Sequence, residues 1–225
     1  MQEEIKSTIQ AIRKNMRLSM DGILSTSMRE KGVDYKLNFG VTTPQLREIV
    51  KKYTPDKHLA EALWKENVRE LRILATLLYP ADDFSEETAN VWMEDTLGNP
   101  ELKEQLCMNL LQNVPFSYNL VNKWAISEKD DARLSAYLLF VRLLRIKSVA
   151  VTRLLLYPLL DSAVNDTKKE SIALKHAALN ALKNACRFGQ EIGDYILDKI
   201  ADYKDSEDNT KREIYDAIAF ECSLL

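Results

Sequence analysis

The segment 131-DARLSAYLLFVRLLRIK-147 carries apolar side chains on almost every side of a helical wheel. A helix of that kind has to be packed over most of its surface, as in the inner layer of a stack of helices. The neighbouring stretch 67-NVRELRILATLLYP-80 is more ordinary. Val68, Leu71, Leu74 and Leu78 recur at helical spacing, Arg69, Arg72 and Thr76 form another stripe, and Pro80 stops the helix. Further out, Thr43-Pro44 predicts a helix start with Thr43 as N-cap, and Asn99-Pro100 predicts another before 101-ELKEQLCMNLLQNV-114.

The two central segments are related. In 72-RILATLLY-79 and 133-RLSAYLLF-140 the Arg, the Ala and the Leu-Leu pair coincide, and each octet ends in an aromatic. Fainter echoes are 175-KHAALNAL-182 and 212-REIYDAIA-219. The last three octets start 42 and 37 residues apart, and the first two start 61 apart with the 86–114 helix pair between them. A period near 40 with two helices per unit is the signature of HEAT and armadillo repeats. The expected fold is all-α: an α-α superhelix, a HEAT/armadillo-like solenoid of about six helix pairs, spanning residues 1–225 as a single domain. An irregular helical bundle is the alternative.

Composition agrees with helices. The chain has 225 residues, 46% of them hydrophobic, and its 6 Gly and 6 Pro are too few for the turns of an all-β protein. The net charge of −3 counts mildly against a dedicated nucleic-acid binder, although a basic face can sit on an acidic protein. Cys107, Cys186 and Cys222 are far apart in sequence, with no CxxC and no Cys/His pairing. Buried free thiols in a cytoplasmic protein are therefore expected, rather than a zinc site or a disulfide framework. No signal-peptide pattern, membrane-length apolar run, phosphate-binding Gly-rich loop or HExxH motif occurs, so no membrane, metal or cofactor is expected.

The segment 39-FGVTTPQLREIVKKY-53 places an aromatic-Gly-Val, a Pro and a Leu-Arg in a pattern that resembles the DNA alkylation-repair proteins of AlkD type. Further matches follow in order. They are 59-LAEALWKENVRELRILATLLY-79, Trp124 followed by Arg133, and 208-DNTKREIYDAIA-219. The resemblance covers about residues 10–220. It implies a HEAT-like solenoid that binds duplex DNA along its concave face, and glycosylase chemistry on positively charged alkylated purines. That chemistry uses a carboxylate to stabilise the cationic sugar, Trp faces for the cationic base and an Arg for phosphate.

Carried over by residue, the resemblance places the family's Trp-Asp segment on 115-PFSYN-119. Its first Trp falls on Pro115 beside Phe116, its catalytic Asp on Asn119, its Arg on Arg133 and its distal Trp near Asn180. The candidate catalytic set is thus Asn119, Arg133, Tyr118 and Phe116, with the usual Asp and Trp not retained. No Asp or Glu occurs between Gln105 and Ser127, in a chain with 34 of them. Phe116 and Tyr118 can equally be packing residues at a turn, and Arg133 can equally pair with Asp130 or a loop carbonyl. Candidate DNA contacts are Arg69, Arg72, Arg142, Lys175, Lys183, Lys211 and Arg212, which recur at the starts of successive helices. The expected partner is duplex DNA, alkylated or distorted. The alternative is a non-catalytic HEAT-repeat scaffold holding a protein partner.

Overall fold

The computed structural model describes residues 2–30 and 35–224. Thirteen α-helices run along the described chain: α1 Gln2–Leu18, α2 Gly22–Glu30, α3 Thr43–Val50, α4 Lys57–Trp64, α5 Arg69–Leu78, α6 Glu86–Glu94, α7 Pro100–Asn109, α8 Ser117–Ala125, α9 Asp130–Arg145, α10 Leu156–Asp166, α11 Ile172–Ala185, α12 Gln190–Lys199 and α13 Asn209–Cys222. Short 3-10 turns join several of them, and the described residues contain one isolated β-bridge, Leu37 to Val68, and no strand. The all-α expectation holds. Contacts divide the chain into two compact units, residues 1–114 and 115–225.

Helix boundaries follow local chemistry. Thr42, rather than Thr43, caps α3, because it forms a capping box with Gln45 while Pro44 occupies the first turn. Asn99 caps α7 through the Leu102 amide, as its Asn-Pro sequence predicts. Asp56, Ser85, Ser171 and Asp208 cap α4, α6, α11 and α13 in the same way.

In the first unit α4 and α5 form a packed pair, α5 also meets α3 and α7, and α1 meets α4 and α3. Trp64 and Trp92 are buried and stack with ring centroids 4.0 Å apart, with Tyr79 and Phe84 edge-on to Trp92. These tryptophans are packing residues, as is the buried Trp124 of the second unit.

The Phe39-Gly40-Val41 signature is held by the start of α5. The buried Glu70 carboxylate accepts the Phe39 and Val41 amides at 3.1 and 3.2 Å, and Arg69 donates to the Val41 carbonyl at 2.9 Å. Gly40 has φ of +72°, and a Cβ there would lie 2.1 Å from the Asp21 carbonyl oxygen. Only glycine fits, because the loop crosses α2 backbone to backbone.

In the second unit α9, α11 and α13 pack in one row and α8, α10 and α12 in another, with α8 against α9 and α10 against α11. This arrangement explains the opening segment. Tyr137, Leu139, Phe140 and Leu143 of α9 are all fully buried, because α9 has neighbours in its own row and in the other. Each such side chain contributes about 2 kcal/mol of burial.

The cysteines depart from expectation. Cys107 is buried and outside any disulfide, but Cys186 and Cys222 are bonded, with Cα atoms 5.1 Å apart. They lie 36 residues apart in sequence, and only the packing of α13 on α11 brings them together.

Candidate functional site

The repeat read from the sequence has a structural register. Arg72, Arg133, Lys175 and Arg212 each occupy the fourth position of their helix, in α5, α9, α11 and α13. The three arginines do the same job. Each donates to the main-chain carbonyl six residues earlier: Arg72 to Glu66, Arg133 to Ser127 and Arg212 to Ser206. Arg133 and Arg212 also reach the side chain three residues back, Asp130 and Asn209. The recurrent cation ties the preceding loop to the helix that follows it. That tie explains why the cation recurs at helix starts without any need for a phosphate.

Arg133 carries this furthest. Its Nε donates to Asp166 Oδ2 at 2.7 Å and its Nη2 to Asp166 Oδ1 at 2.9 Å, a two-pronged pair. Nη1 donates to the Ser127 and Glu128 carbonyls at 2.6 and 3.1 Å, and Nη2 also donates to Asp130. A guanidinium has five N–H donors, and these contacts use all five. Tyr137 Oη donates to Asp166 Oδ2 at 2.7 Å, and Asp166 is 1% exposed. Hydrogen bonding from Arg133 to Asp166 raises the arginine pKa above its ordinary value despite burial. Burial, reinforced by Asp166, pushes the Tyr137 phenol well above its usual range. In this geometry Arg133 has no N–H left for a phosphate. Its alternative reading, pairing with Asp130 and loop carbonyls, describes what it does.

Arg69 is likewise internal. It is 2% exposed and engages Glu101, Glu70 and the Val41 carbonyl. Burial works to lower its pKa, but the Glu101 hydrogen bond and the Glu101 and Glu70 charges outweigh that and raise it. It is part of the clamp on the glycine signature, and its burial corrects its assignment as a candidate DNA contact.

The other candidate cations are spread over both ends of their helices. Arg72 is half-buried, with its guanidinium 5.6 Å from the Trp64 ring centroid. Arg142 lies in the last turn of α9, whereas Lys175 lies in the first turn of α11. Lys183 faces Glu221 at 3.5 Å, and Lys211 sits 5.6 Å from the Tyr203 ring. They do not all mark equivalent helix starts.

The segment 115–119 opens α8. Phe116 is the residue before the helix and is half-buried, and its carbonyl accepts the Asn119 amide at 2.9 Å. Ser117 is buried, Tyr118 is half-buried and Asn119 is exposed. The cation that the fold brings to this segment is Arg153, whose guanidinium lies 5.1 Å over the Tyr118 ring. Arg153 is held there through its own backbone: Asn122 donates to its carbonyl at 3.1 Å and accepts the Leu155 amide at 2.8 Å. Arg153 is exposed and Tyr118 half-buried, so the pair is a modest cation–π contact that leaves guanidinium donors open.

Sequence reading missed Arg153. It precedes α10 in a 3-10 turn outside the repeat register, and only the packing of α8 with that turn reveals it. Among the described residues, no carboxylate is bonded to Tyr118, Asn119 or Arg153, and no group of three His, Cys, Asp or Glu could hold a metal. Among the described residues, no helix is long and apolar enough to cross a membrane.

Helix rows joined by short turns, with a cation repeated at the fourth position of α5, α9, α11 and α13, define a HEAT-like helical-repeat protein. Residues 9–183 match the model of the DNA alkylation repair enzyme family, and the chain belongs to that family. Among solved structures it is similar to one described as "a new family of proteins related to the HEAT-like repeat DNA glycosylases with affinity for branched DNA structures". That likeness has a TM-score of 0.72 at 14% identity and covers 94% of each chain, which speaks to fold. No curated protein matches the chain.

Proposed function

We propose that this protein binds DNA, favouring distorted or branched duplex over regular duplex, and that it lacks the family's standard alkylpurine glycosylase chemistry. The observation that carries this is the α8 start. Tyr118 and Arg153 offer an aromatic face and a cation for phosphate, and Asn119, to which the family resemblance assigns the catalytic Asp, is neutral and exposed. Aromatic and cationic groups bind nucleic acid without chemistry. Loss of a preorganised charged stabiliser raises a barrier by about 3 kcal/mol or more, which is on the order of a hundredfold in rate. Asp166 does not stand in for the missing charge, because it is buried under Arg133 and Tyr137.

The fold match supports a DNA partner, and the solved relative's affinity for branched DNA supports the choice of substrate shape. Docking along the concave side of the helical stack, as the family resemblance implies, is part of the same proposal.

The test has two arms. Titrate fluorescent four-way junction and linear duplex DNA at several salt concentrations, and assay 7-methylguanine release from methylated duplex. The expected result is salt-sensitive binding that is tighter for the junction, with no base release above background. Base release would overturn the catalytic half of the reading. Absence of binding at low salt would overturn the DNA half and favour the protein-scaffold alternative.

A further inference from the structure

A cationic cleft lies at the C-terminal ends of α9 and α11. It is a concavity of about 210 Å³ lined by Leu144, Arg145, Asn184, Arg187 and Phe188. We propose that it holds one unpaired, phosphate-linked nucleotide, of the kind displaced at a DNA branch; this rests on the DNA-binding reading above.

Three features point to that ligand. The first is charge. Arg145 and Arg187 are both exposed, and Arg145 has no hydrogen-bond or ion-pair partner among the described residues. Arg187 has one weak partner, Glu221 at 3.8 Å, which Lys183 shares at 3.5 Å. No carboxylate lines the cleft. The surrounding sequence is also bare of acid: no Asp or Glu occurs from Ala132 to Leu160 or from Ser171 to Gln190. One unpaired and one weakly paired guanidinium on one concavity suit a phosphodiester, which each can grip with paired N–H donors.

The second is the aromatic wall. Phe188 lies parallel to the buried Phe140, with centroids 6.2 Å apart, and remains 37% exposed at the cleft. A ring held by packing and open to solvent is a stacking platform, and stacking accepts any base. The third is the cleft's size and polarity. It is smaller than the usual 300–1,000 Å³ or so of a drug-sized ligand pocket. Asn184, nearly buried, has its amide nitrogen tied to Asn180 at 2.8 and 3.0 Å, which leaves its Oδ1 to accept a donor at the cleft wall. A base amino group supplies such a donor.

A duplex has its bases stacked inward and offers none to Phe188. The cleft therefore discriminates between DNA with and without unpaired bases, and a splayed fork is the probe. Measure binding of a fork with single-stranded arms and of a blunt duplex of the same sequence, for the native protein and for Arg145→Gln, Arg187→Gln and Phe188→Leu. Phe188→Leu is expected to weaken fork binding about tenfold and to leave duplex binding unchanged. Each arginine variant lowers the slope of fork affinity against salt by about 0.7, one phosphate contact on a single strand. Arg145 is exposed and unpaired, so its variant folds even if Phe188→Leu loosens the 3-10 turn. Native-like fork binding by Arg145→Gln and Arg187→Gln overturns the inference while leaving the DNA-binding reading intact. Equal losses on fork and duplex overturn the unpaired-nucleotide assignment. Failure of the native protein to bind either DNA overturns both readings.

Discussion

Arg133→Ala separates a structural arginine from a nucleic-acid anchor. The substitution removes five hydrogen bonds and leaves Asp166, 1% exposed, with the Tyr137 hydroxyl as its remaining partner. Breaking a buried ion pair by removing one side costs about 3–5 kcal/mol, most of it the stranded charge. For a chain of this size each kcal/mol lowers the unfolding temperature by about 2–4 °C, so a drop of about 10 °C is expected. Arg133→Lys keeps the charge but offers three donors and no fork, and is expected to fall between the variant and the native protein. Thermal and urea unfolding followed by circular dichroism give the numbers. In parallel, DNA binding well below the unfolding transition should be native-like, because every Arg133 N–H is already bonded within the protein. A loss of only 1–2 °C, together with a clear loss of DNA affinity and of its salt dependence, would refute the clamp and restore Arg133 as a phosphate anchor.

Gly40→Ala should destabilise the first unit strongly, because the new Cβ would meet the Asp21 carbonyl oxygen at 2.1 Å and φ is +72°; a midpoint in urea within error of native would show that the loop has room to move. In alkali the folded protein should hold its buried phenols neutral. Burial pushes Tyr35 up to about 12, and burial with Glu61 pushes Tyr79 up to about 12, from an ordinary 10.0. Both shifts are upward, so their contribution to stability is complete below pH 10 and fades as pH rises from 10 through 12. Ultraviolet titration of phenolate should accordingly show late-titrating tyrosines that become normal in urea, and uniform titration near 10 in the native protein would contradict the burial. Finally, denaturation without reductant should expose one thiol, Cys107, and three after reduction, since Cys186 and Cys222 are bonded; three thiols before reduction would show that the pair is open in solution.

The helices and their spacing were legible because they depend on local chemistry. Apolar periodicity, Asn-Pro and Asp or Ser caps act within a few residues, and the octet repeat marks the fourth position of four helices correctly. The Phe39-Gly40-Val41 signature was legible only as a resemblance; its physical reason, the positive φ at Gly40, came from the structure. What the octet arginines do was not legible. A cation at a helix start reads the same whether it meets a phosphate or a carbonyl six residues back, and only the folded contacts of Arg72, Arg133 and Arg212 tell these apart. Arg153 over Tyr118, Arg145 with Arg187, and Cys186 with Cys222 all join residues more than 30 positions apart. Their approach is set by which helix faces bury together, and that depends on the packing of the whole row rather than on any one segment. The sequence by itself therefore determined an all-helical repeat. The tertiary structure decided which cations are spent holding loops and which remain free to meet a ligand.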